Sequence, residues 1–363
     1  MKRILVIFGT RPEAIKMCPL VNELKKRKSV KTYVCVSAQH RDMLDSVLKC
    51  FGVVPDFDLN VMQREQTLFD LTEKIMQGVK KVIECAAPDL VLVHGDTTTA
   101  FAAALAAFYE KIPIGHVEAG LRTNDISTPF PEEFNRQAVG IMARWHFAPT
   151  AWAKNNLLAE GKPENTVFVT GNTVIDALKT TVKSDFKHPI LKWGENSRLI
   201  MLTVHRRENA GEAMKQIFSA LKRICHSFPD VKIFYPVHKN PSIQELAFKE
   251  LGKIKNLMLC QPLDPVDCHN LMSRCYAVLT DSGGLQEEAA AIGKPTLVLR
   301  DRTERPEGVE AGILKLVGTD ENSVYLETKR LLTDENLRNR MAESQNPYGN
   351  GTASKKIADL ICN

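Results

Sequence analysis

Several short apolar runs in this sequence end in residues that can do chemistry, and in an open α/β sheet the ends of the strands are where ligands bind. After Leu90–Val93 comes His94-Gly95-Asp96-Thr97-Thr98, and after Ile112–Val117 comes Glu118-Ala119-Gly120-Leu121-Arg122. If these runs are neighbouring parallel strands, Asp96 and Glu118 point into one cleft, where two carboxylates can transfer protons. The plainer alternative is a helix cap for Asp96 and a satisfied ion pair for Glu118. In Pro131-Glu132-Glu133-Phe134-Asn135-Arg136 the i,i+4 spacing puts Glu132 and Arg136 on one helix face, which fits a surface salt bridge. Leu199–Val204 ends in His205-Arg206-Arg207-Glu208-Asn209, and Lys232–Val237 ends in His238-Lys239-Asn240-Pro241. Two strand ends that each deliver a histidine and cations suit a pyrophosphate.

Two turns add donors for an anion. Gly9-Thr10-Arg11-Pro12-Glu13 has capping-box spacing between Thr10 and Glu13, and Arg11 and Lys16 lie beside a helix start whose free amides can hold phosphate. Asp281-Ser282-Gly283-Gly284-Leu285-Gln286-Glu287-Glu288 repeats the strand–turn–helix pattern, with glycines that admit a phosphate and Glu288 one turn on, where it can accept from ribose hydroxyls. Missing motifs count as well. G-x-G-x-x-G, the Walker A lysine loop, H-E-x-x-H and G-x-S-x-G are absent, and the one D-x-D, Asp56-Phe57-Asp58, precedes a loop.

Positioning these residues requires an alternation of strands and helices, and the chain has one. Ile4–Phe8, Thr32–Ser37, Leu90–His94, Ile112–Val117 and His146–Ala148 read as buried strands separated by helical periodicity. The rhythm restarts at Leu199–Val204, with Lys232–Val237, Leu257–Cys260, Ala277–Thr280 and Thr296–Leu299. At 363 residues the chain is long enough for two domains. The expectation is an α/β protein of two Rossmann-like doubly wound domains facing across a cleft. The first covers residues 1–170 and carries the acids; the second covers 171–346 and binds nucleotide. The tail from about 347 to 363 packs back on the first domain, and Lys183–Ser197 is the expected hinge region. A net charge of +5 is too small to argue for nucleic acid. The longest apolar run, Ala100–Tyr109, is half a membrane span, and Arg11 and Glu13 interrupt any leader-like segment, which suggests a cytoplasmic chain. Nine cysteines without a C-x-x-C pair suggest reduced core residues.

Taken in order, these motifs resemble the bacterial non-hydrolysing UDP-N-acetylglucosamine 2-epimerases over essentially the whole chain. The matching segments are Phe8–Ala14, His94–Thr97, His116–Arg122, Pro131–Arg136, Thr203–Asn209, Pro236–His238, Thr280–Gly284, and Arg300-Asp301 with Thr303–Glu307. The resemblance implies the two-domain architecture of GT-B glycosyltransferases and phosphorylases, and a homodimer that supplies ManNAc units for surface polysaccharides. It implies interconversion of UDP-GlcNAc and UDP-ManNAc by loss of UDP, a 2-acetamidoglucal intermediate and re-addition of UDP. No cofactor or metal is implied, in keeping with the missing dinucleotide fingerprint. By motif position it assigns catalysis to Asp96, Glu118, Glu132 and His205, supported by Arg136, with Asp96 and Glu132 (or Glu118) as the proton-transfer pair. A raised pKa is expected in at least one of these carboxyls. UDP binding falls to Arg11, Lys16, His205, His238, Ser282, Gly283, Gly284, Glu288 and Arg305. A regulatory UDP-GlcNAc site, common in the family, would match Gln39, His40, Arg41 and His238.

Some positions depart from the pattern. Cys268 and Leu271 stand where the family commonly has phenylalanines, so an aliphatic contact at 271 would replace a ring on uracil. Arg302 replaces a usual Thr, and Arg64-Glu65 inverts a Glu-Arg order near the regulatory site. The rival readings are a UDP-sugar-dependent GT-B glycosyltransferase, a hydrolysing epimerase, a 2,3-diacetamido-sugar epimerase and a nucleotide-sugar sensor. The glycosyltransferase and the sensor leave little use for three strand-end acids.

Overall fold

The computed structural model describes residues 1–38, 41–63, 66–206 and 209–362, and only the backbone of 41–43. They form two compact units, Met1–Thr180 with Tyr348–Asn363, and Thr181–Pro347. In the first unit the strands are β1 (Lys2–Phe8), β2 (Val30–Val36), β3 (Phe57–Asp58), β4 (Leu90–His94), β5 (Ile114–Val117), β6 (Trp145–Ala148) and β7 (Val167–Val169). All pair in parallel, in the order β3-β2-β1-β4-β5-β6-β7. The second unit contains β8 (Arg198–Thr203), β9 (Val231–Pro236), β10 (Leu257–Cys260), β11 (Ala277–Thr280), β12 (Thr296–Val298) and β13 (Leu314–Leu316). These are again parallel, in the order β10-β9-β8-β11-β12-β13. Each sheet starts at an inner strand, winds to one edge, and restarts on the other side of that strand, which is the doubly wound plan.

The strands are legible because they are buried on both faces. Ile4–Phe8 has no exposed surface at all, and such a strand reads as an unbroken apolar run rather than an alternation. The Ala-rich run is the helix Thr98–Tyr109, whose small side chains pack with Leu5, Ile7, Val91 and Val93 in the core of the first unit. Among the described residues, no helix is long and apolar enough to cross a membrane. Short strands escape the sequence pattern: β3 has two residues, β7 and β13 three each. Asp56, the first acid of the D-x-D, accepts from the Val34 amide at 2.8 Å and fastens this edge.

The division between units differs from the expected 170/171. The helix Thr173–Thr181 goes almost wholly with the first unit. Its Asp176 accepts from the Ala353 and Ser354 amides at 3.2 and 3.0 Å, and the Asn172 amide donates to the Tyr348 carbonyl at 2.8 Å. The tail ends in the helix Ala353–Cys362, which buries Ile357, Ala358 and Ile361. The expected hinge region contains a short helix, Pro189–Trp193, with Ile190 in the core of the second unit. Four cysteines, Cys18, Cys35, Cys225 and Cys275, are buried, and loss of water pushes the Cys35 and Cys225 thiols up to about 12.

Candidate active site

In the first unit the loops after β1, β4 and β5 meet around charged groups. β4 and β5 run in register, His94 beside Val117, so the chain leaves the sheet at one level on both strands. Glu118, the first residue past β5, has a left-handed backbone at φ 64°, uncommon without a glycine. Its carboxylate pairs with the Lys16 ammonium, accepts from Asn172 Nδ2 at 3.2 Å, and lies 3.7 Å from His94 Nε2. Gly95 also has a positive φ, and a Cβ there would come within 3.2 Å of Glu118 Oε2.

Asp96, past β4, is partly exposed and pairs with the guanidinium of Arg136. Arg136 reaches it from the helix Glu132–Met142 and also donates to Glu133 Oε2 at 3.1 Å. The i,i+4 bridge from Arg136 to Glu132 expected from spacing is therefore absent. Arg136 is buried and turns toward the sheet, where it meets Asp96 and the fully buried Glu133 among the described residues. Glu133 also accepts from the Thr123 and Asn124 amides at 3.0 and 3.2 Å, which fastens the preceding loop. Glu132 opens the helix half-exposed, without a hydrogen bond or ion pair among the described residues. The main chain at Gly95 and Asp96 is held as well: the Gly95 carbonyl by His116 Nε2 at 2.8 Å, and the Asp96 carbonyl by Asn135 Nδ2 at 2.9 Å. Burial holds the His116 pKa well below the usual histidine range, which keeps this donor neutral.

Glu13 completes the predicted capping box, and its second oxygen reaches further. It accepts from the Gly9 and Thr10 amides at 3.0 and 2.7 Å and from the Thr97 hydroxyl at 2.8 Å, tying the turn after β1 to the residue beside Asp96. Burial raises its pKa despite the bonds from Thr97, Gly9 and Thr10, which pull the other way. Arg11 begins the helix Arg11–Lys25 half-buried, and Lys16 lies one turn on.

In the second unit the loops after β8 and β11 meet at Asp281. This fully buried carboxylate receives the His205 amide at 2.9 Å, the Arg206 amide at 2.8 Å and Asn209 Nδ2 at 3.0 Å, all on Oδ2. The His205 ring stacks on the His238 ring with centroids 5.6 Å apart. Burial lowers the His205 pKa; Asp281 opposes this, and Arg206 and His238 reinforce it. Ser282 caps the helix Gly283–Ala291 without using its side chain, so neither its hydroxyl nor the first amides are consumed by a cap bond. A Cβ at Gly283 would lie 2.6 Å from Arg305 Nη1, so any side chain there would push the guanidinium aside. Arg305 is buried against Glu287, to which its Nε donates at 2.7 Å, and Glu304 lies 3.5 Å from its Nη1. Burial would raise the Glu304 pKa, but Arg305 and Arg300 outweigh it and bring it down to about 2. Glu288 is mostly buried, with Oε2 3.3 Å from His269 Nε2, and His269 is itself bonded to the Thr181 hydroxyl at 2.7 Å.

One sequence expectation fails here. Leu271 has no exposed surface and packs with Leu199, Met201 and Phe234, so it offers no aliphatic contact to a base; Cys268 is only half-buried. Arg302 is exposed. Gln39 and His40 lie outside the described residues, as do Arg64, Glu65, Arg207 and Glu208, and so does the side chain of Arg41. Sequence reading missed Glu133, Asn135 and Asn172 as anchors. Glu133 stands three residues before Arg136, a spacing as favourable as the i,i+4 one. Asn172 follows a strand too short to notice. No group of three His, Cys, Asp or Glu that could hold a metal occurs among the described residues.

Residues 22–362 match the family model described as UDP-N-acetylglucosamine 2-epimerase. The chain is 54% identical to the UDP-N-acetylglucosamine 2-epimerase of Bacillus subtilis, over 99% of this chain and 94% of the relative. A structure from S. aureus, described as a co-structure of MnaA with UDP, is 53% identical with a TM-score of 0.94 and covers 99% of this chain and 96% of its own. The UDP-GlcNAc 2-epimerase of Neisseria meningitidis, solved bound to UDP-GlcNAc, is 46% identical with a TM-score of 0.93 over 99% of both chains.

Proposed function

The chain belongs to the UDP-N-acetylglucosamine 2-epimerase family, and from that premise we propose that it interconverts UDP-GlcNAc and UDP-ManNAc. The observation that carries the chemistry is the pair of carboxylates leaving neighbouring strands at one level, Asp96 after β4 and Glu118 after β5, with Glu132 opening the helix that supplies Arg136.

The sugar C2 carries the proton to be moved, and C1 carries UDP as a leaving group. A base takes the C2 proton, the C–H electron pair becomes the C1=C2 bond, and the C1–O pair leaves with UDP. The product of this half is 2-acetamidoglucal with UDP. In the second half UDP oxygen attacks C1 and an acid delivers a proton to the other face of C2. Two proton carriers are needed, one for each face. In this reading they are Asp96 and Glu132. Asp96 is held in place by Arg136 and by the Asn135 bond to its main-chain carbonyl. Glu132 has no competing partner among the described residues. Glu118, committed to Lys16 and Asn172, sets the charge around them.

UDP recognition falls in this reading to the second unit: the helix start at Ser282, Gly283 and Gly284, with Arg305, Glu288, His205 and His238. Arg11 and Lys16 offer cations at the helix start of the first unit. Free amides and a guanidinium stabilise the charge that develops on a departing diphosphate. The same reading includes a homodimer, to be checked by sedimentation.

The experiment is incubation with UDP-GlcNAc in D2O without metal, nicotinamide or acceptor. Deuterium at C2 and formation of UDP-ManNAc are expected. No exchange would overturn the reading, and free ManNAc would select a hydrolysing enzyme.

A further inference from the structure

Asp281 has one oxygen saturated and one without a hydrogen bond. Oδ2 collects three donors, the His205 and Arg206 amides and Asn209 Nδ2. Oδ1 is equally buried, accepts no hydrogen bond among the described residues, and lies 3.5 Å from Nδ1 of the His205 ring. A buried carboxylate oxygen without a donor is costly, and the ring nitrogen is the group placed to relieve it. We propose that Asp281 is a positioning residue for His205, holding its imidazole with the proton on Nδ1 and Nε2 turned outward toward the substrate diphosphate. This rests on the reading above that His205 contacts UDP.

The geometry favours this tautomer in two further ways. The three donors on Oδ2 fix the carboxylate plane, so Oδ1 cannot rotate away without breaking them. The stacked neighbour His238 spends its own Nδ1 accepting the Asn240 amide at 3.1 Å, so it offers no competing ring donor through that nitrogen. Among the described residues the charged or titratable groups around the His205 ring are Asp281, Arg206 and His238, and Asp281 alone is an acid. It opposes, without cancelling, the burial that disfavours imidazolium, so it is the charge growing on departing UDP that draws a second proton onto the ring. The 3.5 Å contact is long, as such bonds commonly are before substrate tightens them.

The test is nitrogen-15 NMR of histidine-labelled full-length protein, with His205→Asn identifying the resonance. Wild-type His205, when neutral, is expected as the Nδ1–H tautomer. In Asp281→Asn the three donors keep the amide oxygen at the Oδ2 position, which turns the NH2 onto ring Nδ1 and forces the Nε2–H tautomer. That variant should lose about a hundredfold or more in kcat with KM little changed, and its falling alkaline limb should move to lower pH. Asn209→Ser loosens the same loop but keeps the acid, and should keep the Nδ1–H tautomer.

An Nε2–H tautomer in the wild type would overturn the proposal without any variant. An unchanged tautomer in Asp281→Asn, or the same change in Asn209→Ser, would overturn it too, even if His205→Asn is inactive. Normal turnover by His205→Asn would instead overturn the placement of His205 at UDP.

Discussion

The two units share one winding plan, the first with an extra edge strand, and use their loops in opposite ways. In the first, the side chains past the strands pair with one another: Glu118 with Lys16, and Asp96 with Arg136, which is braced in turn by Glu133. In the second, the central acid Asp281 is held mainly by main-chain amides, and the helix start at Ser282 makes no side-chain cap bond. One arrangement fixes carboxylates in place, and the other leaves donors available. A proton-transfer reaction needs the first and a diphosphate needs the second, so the doubly wound sheet is indifferent to function and the loops decide it.

The sharpest way to break this comparison is to disarm one unit and read the other. Asp96→Asn should lose at least about a hundredfold in turnover and still bind UDP, as measured by calorimetry. Loss of UDP binding would mean that the two roles are not divided by unit.

Arg305→Met should do the reverse. It leaves Glu287, a buried carboxylate, without the guanidinium that it accepts from. The expected cost is about 3–5 kcal/mol in denaturant unfolding, with weakened UDP binding.

Ile357→Ala, in the returning tail, should cost about 2–5 kcal/mol, because a fully buried side chain is removed from the first unit. UDP binding, which the proposed function places mainly in the second unit, should be spared.

A finer probe is the pH dependence of stability. Burial raises the folded-state pKa of Glu13, so the folded chain binds that proton more tightly than the unfolded one. Its contribution is present below the ordinary glutamate value and is lost as pH rises through the raised one. Glu13→Gln should remove that part of the decline in unfolding free energy above the ordinary glutamate range; an unchanged slope would count against a buried, proton-binding Glu13. At the small end, breaking the exposed Arg3–Asp89 pair should leave the denaturant midpoint almost unchanged, because water and salt screen it.

What was legible in the sequence followed from burial and from local spacing. β1, β4, β8 and β11 could be read because strands covered on both faces are continuous apolar runs, and Thr10 with Glu13 because a capping box is a three-residue rule. β3, β7 and β13 were not legible, since two or three residues carry no period. The residues following the long strands could be named in advance, and so could the family, which rests on ordered motifs. The partners could not. Arg136 has acids at both i−4 and i−3, and local geometry permits either. Only the fold, by bringing Asp96 from a strand forty residues upstream, turned Arg136 inward to Asp96 and Glu133. Likewise, nothing near Leu271 marked it as core rather than ligand contact, and nothing near His205 announced Asp281. Sequence sets the elements and the chemical types at their ends because those depend on neighbours along the chain. Which charge meets which depends on strand order and register, and these exist only once the sheets have formed.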